Sequence, residues 1–185
     1  MKVLVVVDMQ YDFIYGALGS DEARAIVPNV KEKIEKCAAD PSYAIVYTRD
    51  THFNDYLDTN EGKHLPMPHC KMNTAGWLVL DNVFGASEGA TYVEVLNKYT
   101  FGMEDIATML ETIPSLVEGW ENEVIESIEL IGVCTDICVV SNALLLKAAF
   151  TETPITVDSS CCAGVTPAKH EAALEVMRSC QIEVI

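Results

Sequence analysis

The chain has 185 residues, half of them hydrophobic, and carries 28 Asp and Glu against 12 Lys and Arg, a formal net charge of -16 at pH 7. This length is sufficient for one sizeable hydrophobic core and short for two, so we expect a single domain over residues 1–185. The acidic balance repels a phosphate backbone and an anionic membrane surface, which argues against nucleic-acid binding and membrane binding.

The N-terminal segment and the cysteines indicate the compartment. An apolar run from Val3 to Val7 meets the carboxylate of Asp8 after five residues, which is too short for a signal sequence or a membrane span. The seven cysteines are odd in number and form no regular framework, so we expect reduced thiols rather than disulfides. Both features predict a cytoplasmic protein.

Strand patterns alternate with helix patterns along the chain. The run at 3–7 is continuously apolar, as in a strand buried on both faces, and the segment at 21–36 follows the capping residue Ser20 with apolar residues at helical spacing. The same patterns predict strands at 43–48, 91–96, 126–132, 155–158 and 182–185, and helices at 103–110, 114–121, 136–150 and 167–179.

This alternation predicts an α/β fold class, with three α/β/α layers formed by a Rossmann-like, mostly parallel sheet and helices on both of its faces. In such folds, sites form beyond the carboxyl ends of the strands. The polar segment at 49–76, which is rich in His and Pro, is too long for a simple connection and is predicted to build part of a site.

Several chemically active residues fall at that predicted edge. Asp8 follows the first strand, Asp50 and His52 follow the second, and Cys138 follows the fourth, at a helix start that stabilises a thiolate or an oxyanion. Lys98 follows the third strand and offers a counter-charge. Taken singly, each has a simpler interpretation: Asp8 as a cap for the next loop, Lys98 as a solvated surface group and Cys138 as a small buried hydrophobe.

Two segments are similar to motifs of a known family. Residues 7–13, VDMQYDF, resemble the V-D-x-Q-x-D-F opening of the isochorismatase-like cysteine hydrolases, the superfamily that contains nicotinamidases. Residues 132–139, GVCTDICV, resemble the G-V-x-T-D/E-x-C-V nucleophile segment of that superfamily, and Lys98 falls in order where its lysine is expected. The resemblance implies a catalytic triad of Asp8, Lys98 and Cys138.

The resemblance also implies a mechanism. Asp8 takes the proton of the Cys138 thiol, Lys98 stabilises the charges, and the thiolate attacks a carbonyl to form a thioester that water hydrolyses. The backbone N–H groups of Cys134 and Cys138 hold the oxyanion, and the peptide bond before Cys134 is expected to be cis, as is typical of the family. Cys134 is thus predicted to act through its backbone and not through its sulfur.

Aromatic residues are candidates for the wall of a substrate pocket. Phe13 matches the aromatic residue of the opening motif and is predicted to contact a planar substrate, with a core position as the alternative. Trp77, Tyr99 and Phe101 are further candidates. Nicotinamidases usually carry Trp-Pro before their P-x-H-C histidine, whereas residues 66–68 here are Pro-Met-Pro, so one expected aromatic wall is missing.

The polar segment resembles a metal motif. The sequence DTH at 50–52 followed by PHC at 68–70 is similar to the D-x-H and P-x-H-C elements of nicotinamidases. The resemblance implies a divalent metal, zinc in first place and manganese or iron less selectively. The implied ligands are Asp50, His52, His69 and, as the preferred fourth ligand, Glu61.

The fourth ligand stays open between Glu61 and His64, because the segment after His52 lacks the further histidine that many nicotinamidases carry. The alternative interpretation of the whole segment is a set of loop caps with a solvated His64.

These motifs favour a cysteine amidohydrolase that cleaves a small amide C–N bond through a thioester, with nicotinamide converted to nicotinate and ammonia as the leading reaction. Alternatives are a related hydrolase acting on another amide, a ureido compound or isochorismate, and a non-catalytic binding protein with the same fold. The intact Asp8, Lys98 and Cys138 argue against the binding protein. The family analogy also implies a homo-oligomer, with a small-molecule amide as the substrate.

Overall fold

The computed structural model describes residues 1–185 and contains one six-stranded sheet in which all neighbouring strands are parallel. Its strands are β1 (Lys2–Val7), β2 (Tyr43–Asp50), β3 (Tyr92–Lys98), β4 (Ser127–Val133), β5 (Ile155–Ala163) and β6 (Glu183–Val184). The order across the sheet is β3-β2-β1-β4-β5-β6, so the direction of chain progression reverses next to β1. A reversal of this kind opens a crevice at the carboxyl edge of the sheet.

Helices cover both faces of this sheet. They are α1 (Tyr11–Ile14), α2 (Asp21–Ala38), α3 (Asn60–His64), α4 (Asp81–Phe84), α5 (Ile106–Thr112), α6 (Val140–Ala149) and α7 (Pro167–Ser179). Residues of α2 and α4 contribute to one hydrophobic core, and residues of α5, α6 and α7 contribute to the other. The predicted α/β/α arrangement with a parallel sheet is therefore confirmed.

The central strand β1 explains the continuous apolar run at the N-terminus. Val3, Val5 and Val7 belong to one core, whereas Leu4 and Val6 belong to the other, and all five are fully buried. Because successive side chains of a strand point to opposite faces, only a run without polar residues fills both cores.

Two long helices begin at the edge where β1 ends. The Ser20 side chain accepts a hydrogen bond from the Ala23 N–H at 3.0 Å at the start of α2, and the Thr166 side chain accepts one from the Lys169 N–H at 3.2 Å at the start of α7. Pro167 occupies the first position of α7, where its missing N–H has no cost. These caps fix the starts of the two helices at the carboxyl edge of the sheet.

The prediction of a helix at 114–121 is wrong, because that segment contains only the end of a short 3-10 turn, Ile113–Ser115. Leu116 is 60% exposed, so the segment has no continuous apolar face that a helix would bury. The strand β5 is longer than predicted and runs to Ala163. The pairing of β4 with β5 shifts in register between the Leu130–Val157 and Gly132–Cys162 pairs. The β5 residues in this bulge are polar, so the hydrophobic pattern of the sequence does not show that the strand continues.

Gly132 allows the backbones of β1 and β4 to approach each other closely. Its φ is +118°, and a Cβ at this position would overlap the carbonyl oxygen of Val7. Only glycine combines this backbone conformation with such a close contact. The contact lies directly before Asp8 on one strand and two residues before Cys134 on the other.

All seven cysteines are free thiols, in agreement with the prediction. None of the helices has the length and apolar character that a membrane span requires.

A three-residue ion-pair cluster joins α2 to the sheet. Lys33 Nζ lies 2.6 Å from Glu129 Oε1 and 2.9 Å from Asp158 Oδ2. Burial opposes ionisation of Asp158, but hydrogen bonds from Lys33 and Ser160 outweigh it and lower the pKa of this carboxyl. The cluster therefore stabilises the fold above about pH 4, the ordinary pKa of Asp, and loses its contribution as the pH falls through the lowered folded pKa.

We expect Lys33→Met to lower the free energy of unfolding by about 1–3 kcal/mol at pH 7, because two partly buried carboxylates lose their partner. The difference from the wild type should narrow at pH 3, because the stabilisation that comes from the lowered pKa of Asp158 declines below about pH 4. Urea unfolding at both pH values measures this. Lys36→Met is the matched control: its pair with Glu32 at 2.7 Å is exposed and screened by solvent, so its loss should change the free energy of unfolding much less. Equal effects of the two substitutions would contradict the prediction.

Candidate active site

Four of the predicted residues meet at the carboxyl edge of the sheet. Asp8 directly follows β1, Asp50 and Lys98 are the last residues of β2 and β3, and Cys138 follows β4. Lys98 Nζ lies 2.8 Å from Asp8 Oδ2, 3.1 Å from Asp50 Oδ1 and 3.4 Å from Cys138 Sγ. All four are at most 4% exposed, so this buried lysine is the counter-ion of the whole group.

The two oxygens of the Asp8 carboxylate have different partners. Its Oδ1 accepts a hydrogen bond from the Thr48 hydroxyl at 2.7 Å. Its Oδ2, which faces Lys98, has no further hydrogen bond of good geometry. Burial raises the pKa of Asp8, and Lys98 opposes this shift. A carboxylate with a raised pKa is a stronger base than an exposed one, which suits proton transfer from a thiol.

Burial raises the pKa of Cys138 well above its ordinary value, and the charge of Asp8 adds to the shift while Lys98 opposes it. The resting residue is therefore a thiol, and the expected stabilisation of a thiolate by the helix start does not dominate here. Burial likewise opposes protonation of Lys98, but the charges of Asp8 and Asp50 outweigh it and raise the pKa of Lys98. The site thus holds a protonated lysine beside a thiol and a base, and removal of the thiol proton requires that base.

Cys138 lies in a π-helical turn, Thr135–Val139, that precedes α6. The peptide bond between Val133 and Cys134 is cis, as the resemblance implies, and the Cys134 N–H is not engaged in a hydrogen bond. Cys134 and Cys138 both line a cavity, so an oxygen atom placed there has access to the backbone at Cys134. Burial raises the pKa of the Cys134 thiol to about 12, so its sulfur also rests as a thiol.

The turn is fixed to the loop that follows β5 and to α7. The Thr135 hydroxyl lies 2.8 Å from His170 Nδ1, and Asp136 Oδ1 accepts the Val165 N–H at 2.8 Å. Because Val165 lines the same cavity, these bonds also set the position of one cavity wall relative to the nucleophile.

A second group of side chains, beside the first, has the composition of a metal site. One ligand atom from each of Asp50, His52, Glu61 and His69 lies within 4.8 Å of the others. His52 Nε2 is 2.9 Å from Asp50 Oδ2 and 3.5 Å from Glu61 Oε1, and His69 Nε2 is 3.5 Å from the same Asp50 oxygen. The exposed His64 bonds to the Asn60 carbonyl and lies outside this group, which favours Glu61 as the fourth ligand.

These four residues fit a divalent cation on their own chemistry. His52 Nε2 is buried and has no hydrogen bond of good geometry, so its lone pair is available to a cation. His69 Nδ1 lies 2.9 Å from the Met67 carbonyl, which fixes this nitrogen as the N–H and turns the lone pair of Nε2 towards the group. Two imidazoles and two carboxylates suit zinc, and manganese or iron less selectively.

Two residues that support the metal group were missed as functional residues in the sequence. The Gln10 side chain donates to the Asp50 carbonyl at 2.8 Å and accepts the Asp50 N–H at 2.7 Å, so it fixes the backbone of a ligand. Asp12 Oδ2 accepts the Cys70 N–H at 2.8 Å and anchors the loop that carries His69. The sequence feature that could have identified Gln10 and Asp12 is their position in the opening motif at residues 7–13.

The cavity over Cys138 has a volume of about 310 Å³ and a mostly apolar lining. Phe13 lines it as predicted, with its ring centroid 5.4 Å from that of His69. Phe101 also lines it, whereas Tyr99 lies outside and Trp77 is a buried core residue under the Arg49 guanidinium. At the position of the missing aromatic wall, Leu65 lines the cavity and Met67 does not. The space suits a small ligand of roughly one ring.

Asn142 connects the nucleophile to the opposite wall of this cavity. It is fully buried, and its Nδ2 donates to the Cys138 carbonyl at 2.8 Å and to the Phe101 carbonyl at 3.4 Å. Its Oδ1 accepts the Met103 N–H at 2.9 Å. The side chain therefore holds the turn of Cys138 and the loop of Phe101 in a fixed relation.

We expect Asn142→Asp to slow alkylation of Cys138 by iodoacetamide by about 10-fold or more, because the lost donor releases the carbonyl of the nucleophile and small displacements at a reacting atom have large effects. Mass spectrometry of the labelled peptide measures the rate. Tyr47→Phe is the matched control: it removes a buried 3.2 Å hydrogen bond to Val83 away from the site. It should destabilise the protein by about 1 kcal/mol and leave the rate unchanged. A wild-type rate in Asn142→Asp would contradict the positioning role.

The fold and this edge of the sheet define an α/β enzyme of the hydrolase class. The family model of the isochorismatase domain matches residues 2–185, and the chain therefore belongs to the isochorismatase family of hydrolases. No curated protein sequence matches the chain.

Solved structures of similar fold include several amidases. A pyrazinamidase of Pyrococcus horikoshii in complex with zinc is 27% identical with a TM-score of 0.77, over 100% of this chain and 98% of that one. An N-carbamoylsarcosine amidase of Thermoplasma acidophilum is 25% identical with a TM-score of 0.74, over 100% and 95%. A pyrazinamidase/nicotinamidase of Streptococcus mutans UA159 has 24% identity, a TM-score of 0.81 and full coverage of both chains, and this match supports the fold alone.

Proposed function

We propose that the protein is a cysteine amidohydrolase that converts a small amide and water to the carboxylic acid and ammonia, with nicotinamide as the leading substrate and nicotinate as its product. The observation that carries this proposal is the buried contact of Lys98 with both Asp8, at 2.8 Å, and Cys138, at 3.4 Å, at the base of a small cavity. A binding protein has no need for such a group, because burying charges without function destabilises the fold.

The reaction follows from the roles of the side chains. Asp8 accepts the proton of the Cys138 thiol, and the thiolate attacks the carbonyl carbon while Lys98 stabilises the negative charge. The oxyanion accepts hydrogen bonds from the backbone N–H groups of Cys134 and Cys138. When the intermediate collapses, Asp8 returns the proton to the leaving nitrogen, ammonia departs and a thioester remains. Asp8 then takes a proton from water, the resulting hydroxide attacks the thioester, and the acid is released with the thiol restored.

The metal group lies at the side of the same cavity, because Asp50, Glu61 and His69 line it. We propose that Asp50, His52, Glu61 and His69 hold a divalent ion. Zinc is the first choice because the similar Pyrococcus horikoshii pyrazinamidase was solved in complex with zinc. Such an ion supplies a Lewis acid that binds a lone pair of the substrate, for example that of a pyridine nitrogen. Phe13 would contact the face of the ring.

A second candidate is the hydrolysis of a ureido compound that carries a carboxylate. It is favoured by Lys169, which lines the cavity and forms no ion pair, and by the similarity to an N-carbamoylsarcosine amidase. A cation at this wall would pair with a carboxylate that nicotinamide lacks.

The test is ammonia release by the purified protein over a panel of nicotinamide, pyrazinamide, aliphatic amides and N-carbamoyl amino acids, with zinc and with EDTA. Release from nicotinamide that depends on the metal supports the leading proposal. Release from N-carbamoyl amino acids alone supports the second candidate. If no member of the panel yields ammonia from folded, metal-supplied protein, the amidohydrolase proposal is overturned. The homo-oligomer and the cytoplasmic location stay predictions, which light scattering and cell fractionation would check.

A further inference from the structure

The cavity over Cys138 is not closed on its outer side. Glu61, Leu65, Phe101 and Ile137 line both this cavity, of about 310 Å³, and an adjoining surface groove of about 650 Å³. These four side chains lie at the boundary between the two spaces. A ligand that fills the inner cavity therefore reaches the groove by passing over them.

Apart from Glu61 and the two histidines, the groove offers apolar and neutral polar contacts. Leu65 is 38% exposed and Phe101 48% exposed at the boundary, and Tyr99, beyond them, is 57% exposed. The Tyr99 ring stacks on the Phe53 ring with centroids 5.8 Å apart, which presents a flat aromatic surface. Exposed apolar side chains that gather beside a site mark contact with a ligand or partner. Thr59, Asn60 and Thr100 add neutral hydrogen-bonding groups to the groove, and the two metal-group residues that also line it, His52 and Glu61, lie on the side of the inner cavity.

The orientation of an amide at Cys138 decides which of its substituents reaches the groove. In the proposed reaction the leaving nitrogen faces Asp8, which must protonate it. Asp8 and Lys98 are 0% and 1% exposed and neither lines the cavity, so the base of the site has no room for a substituent on that nitrogen. The carbonyl oxygen faces the backbone at Cys134. The acyl substituent is the one that remains, and it points outwards.

We propose that the substrate class of this enzyme is a primary carboxamide, R–CO–NH2, with an uncharged acyl group longer than a single ring, which extends past Leu65 and Phe101 into the groove. The inference rests on the proposed function and narrows it. Hydrolysis consumes one water and yields R–COO⁻ and NH4⁺, so the extended part is retained in the thioester and the acid product.

Three matched compounds test the proposal: nicotinamide, 5-phenylnicotinamide as the extended primary amide, and N-methylnicotinamide. We expect the extended amide to have a kcat/KM equal to or above that of nicotinamide, and the N-methyl compound to be at least about 100-fold poorer because its substituent meets the closed base of the site. Each value is measured by the release of ammonia or methylamine at a fixed zinc concentration.

Two groove variants locate the effect. His64→Trp fills the groove and Tyr99→Ala removes its aromatic surface, and each should lower the ratio of kcat/KM for the extended amide over nicotinamide by about 10-fold. Because each ratio is taken within one variant, a general loss of fold or activity cancels. Leu116→Trp, which adds the same ring at an exposed residue outside both spaces, should leave the ratio unchanged.

The outcomes separate this inference from the function on which it rests. Two results would overturn the extended substrate and leave the amidase in place. One is turnover of nicotinamide with a kcat/KM for the extended amide that is tenfold or more lower, and the other is a ratio of the two kcat/KM values that neither groove variant changes. Efficient turnover of N-methylnicotinamide overturns the orientation. Absence of turnover of every amide overturns both proposals.

Discussion

The Cys138→Ala variant is expected to lose at least about 10⁴-fold of the amide hydrolysis rate, because no thioester forms without the nucleophile and the remaining groups act only on water. The fold should persist, since alanine occupies less space than cysteine at a site that already faces a cavity. Release of ammonia under steady-state conditions gives the rate. Acid quenching of the wild type during turnover, followed by mass spectrometry, should detect acylation of the peptide that contains Cys138.

Cys134→Ala is the matched control for this prediction. Its sulfur is four residues away on the same turn and lines the same cavity, but its proposed contribution is the backbone N–H, which alanine retains. We expect activity within about threefold of the wild type, as for other substitutions that leave the reacting groups in place. If activity survived in Cys138→Ala, this residue would not be the nucleophile. If activity also disappeared in Cys134→Ala, the nucleophile would be assigned to Cys134.

Substitution of the metal group is expected to have the second largest effect. His69→Ala removes one of two imidazole donors, and we expect it to weaken zinc binding by at least about 100-fold, which is the upper range for the loss of groups that merely support a ligand. Isothermal titration with zinc and the absorption spectrum of the cobalt(II)-loaded protein both report this change without reference to activity. The spectrum should also change its intensity, because the geometry around the ion changes.

A pair of variants decides the fourth ligand. Glu61→Gln removes a carboxylate that lies 3.5 Å from His52 Nε2, and it should weaken zinc binding, whereas His64→Ala changes an exposed residue outside the group and should leave zinc affinity within about twofold. The reverse result would assign the ligand to His64 and require a movement of α3. Unaltered zinc affinity in His69→Ala, Glu61→Gln and His64→Ala alike would place the ion elsewhere.

The sequence was sufficient to predict the fold and which side chains meet at one edge of the sheet, for reasons that lie in particular strands. Parallel strands with their carboxyl ends at one edge must bring together whatever follows them, so Asp8, Asp50 and Cys138 were predictable neighbours. The third strand was predicted to end at residue 96, before Lys98, whereas β3 ends at Lys98 itself. This difference of two residues leaves Lys98 at the same edge of the sheet. The triad and metal roles themselves came from the resemblance and stay proposals.

The remaining features depend on contacts between distant parts of the chain. Gln10 bonds to Asp50 across 40 positions, and Asn142 bonds to Met103 across 39, and neither contact leaves a periodic signal in the sequence. The extension of β5 was hidden by the bulge opposite Gly132, and the helix predicted at 114–121 failed because its apolar residues do not form one buried face. The groove next to Leu65 is likewise a property of packed surfaces.

The close contact between Gly132 and the Val7 carbonyl has a consequence for how this site changes in evolution. The base follows one side of that contact and the nucleophile's turn follows the other, so their separation is set by two main chains in van der Waals contact and not by the volume of any side chain. Exchanges of residues in either hydrophobic core or along the cavity wall can therefore alter which molecule is accepted without altering the distance over which the proton moves. Substrate preference and reactivity are separable in this chain.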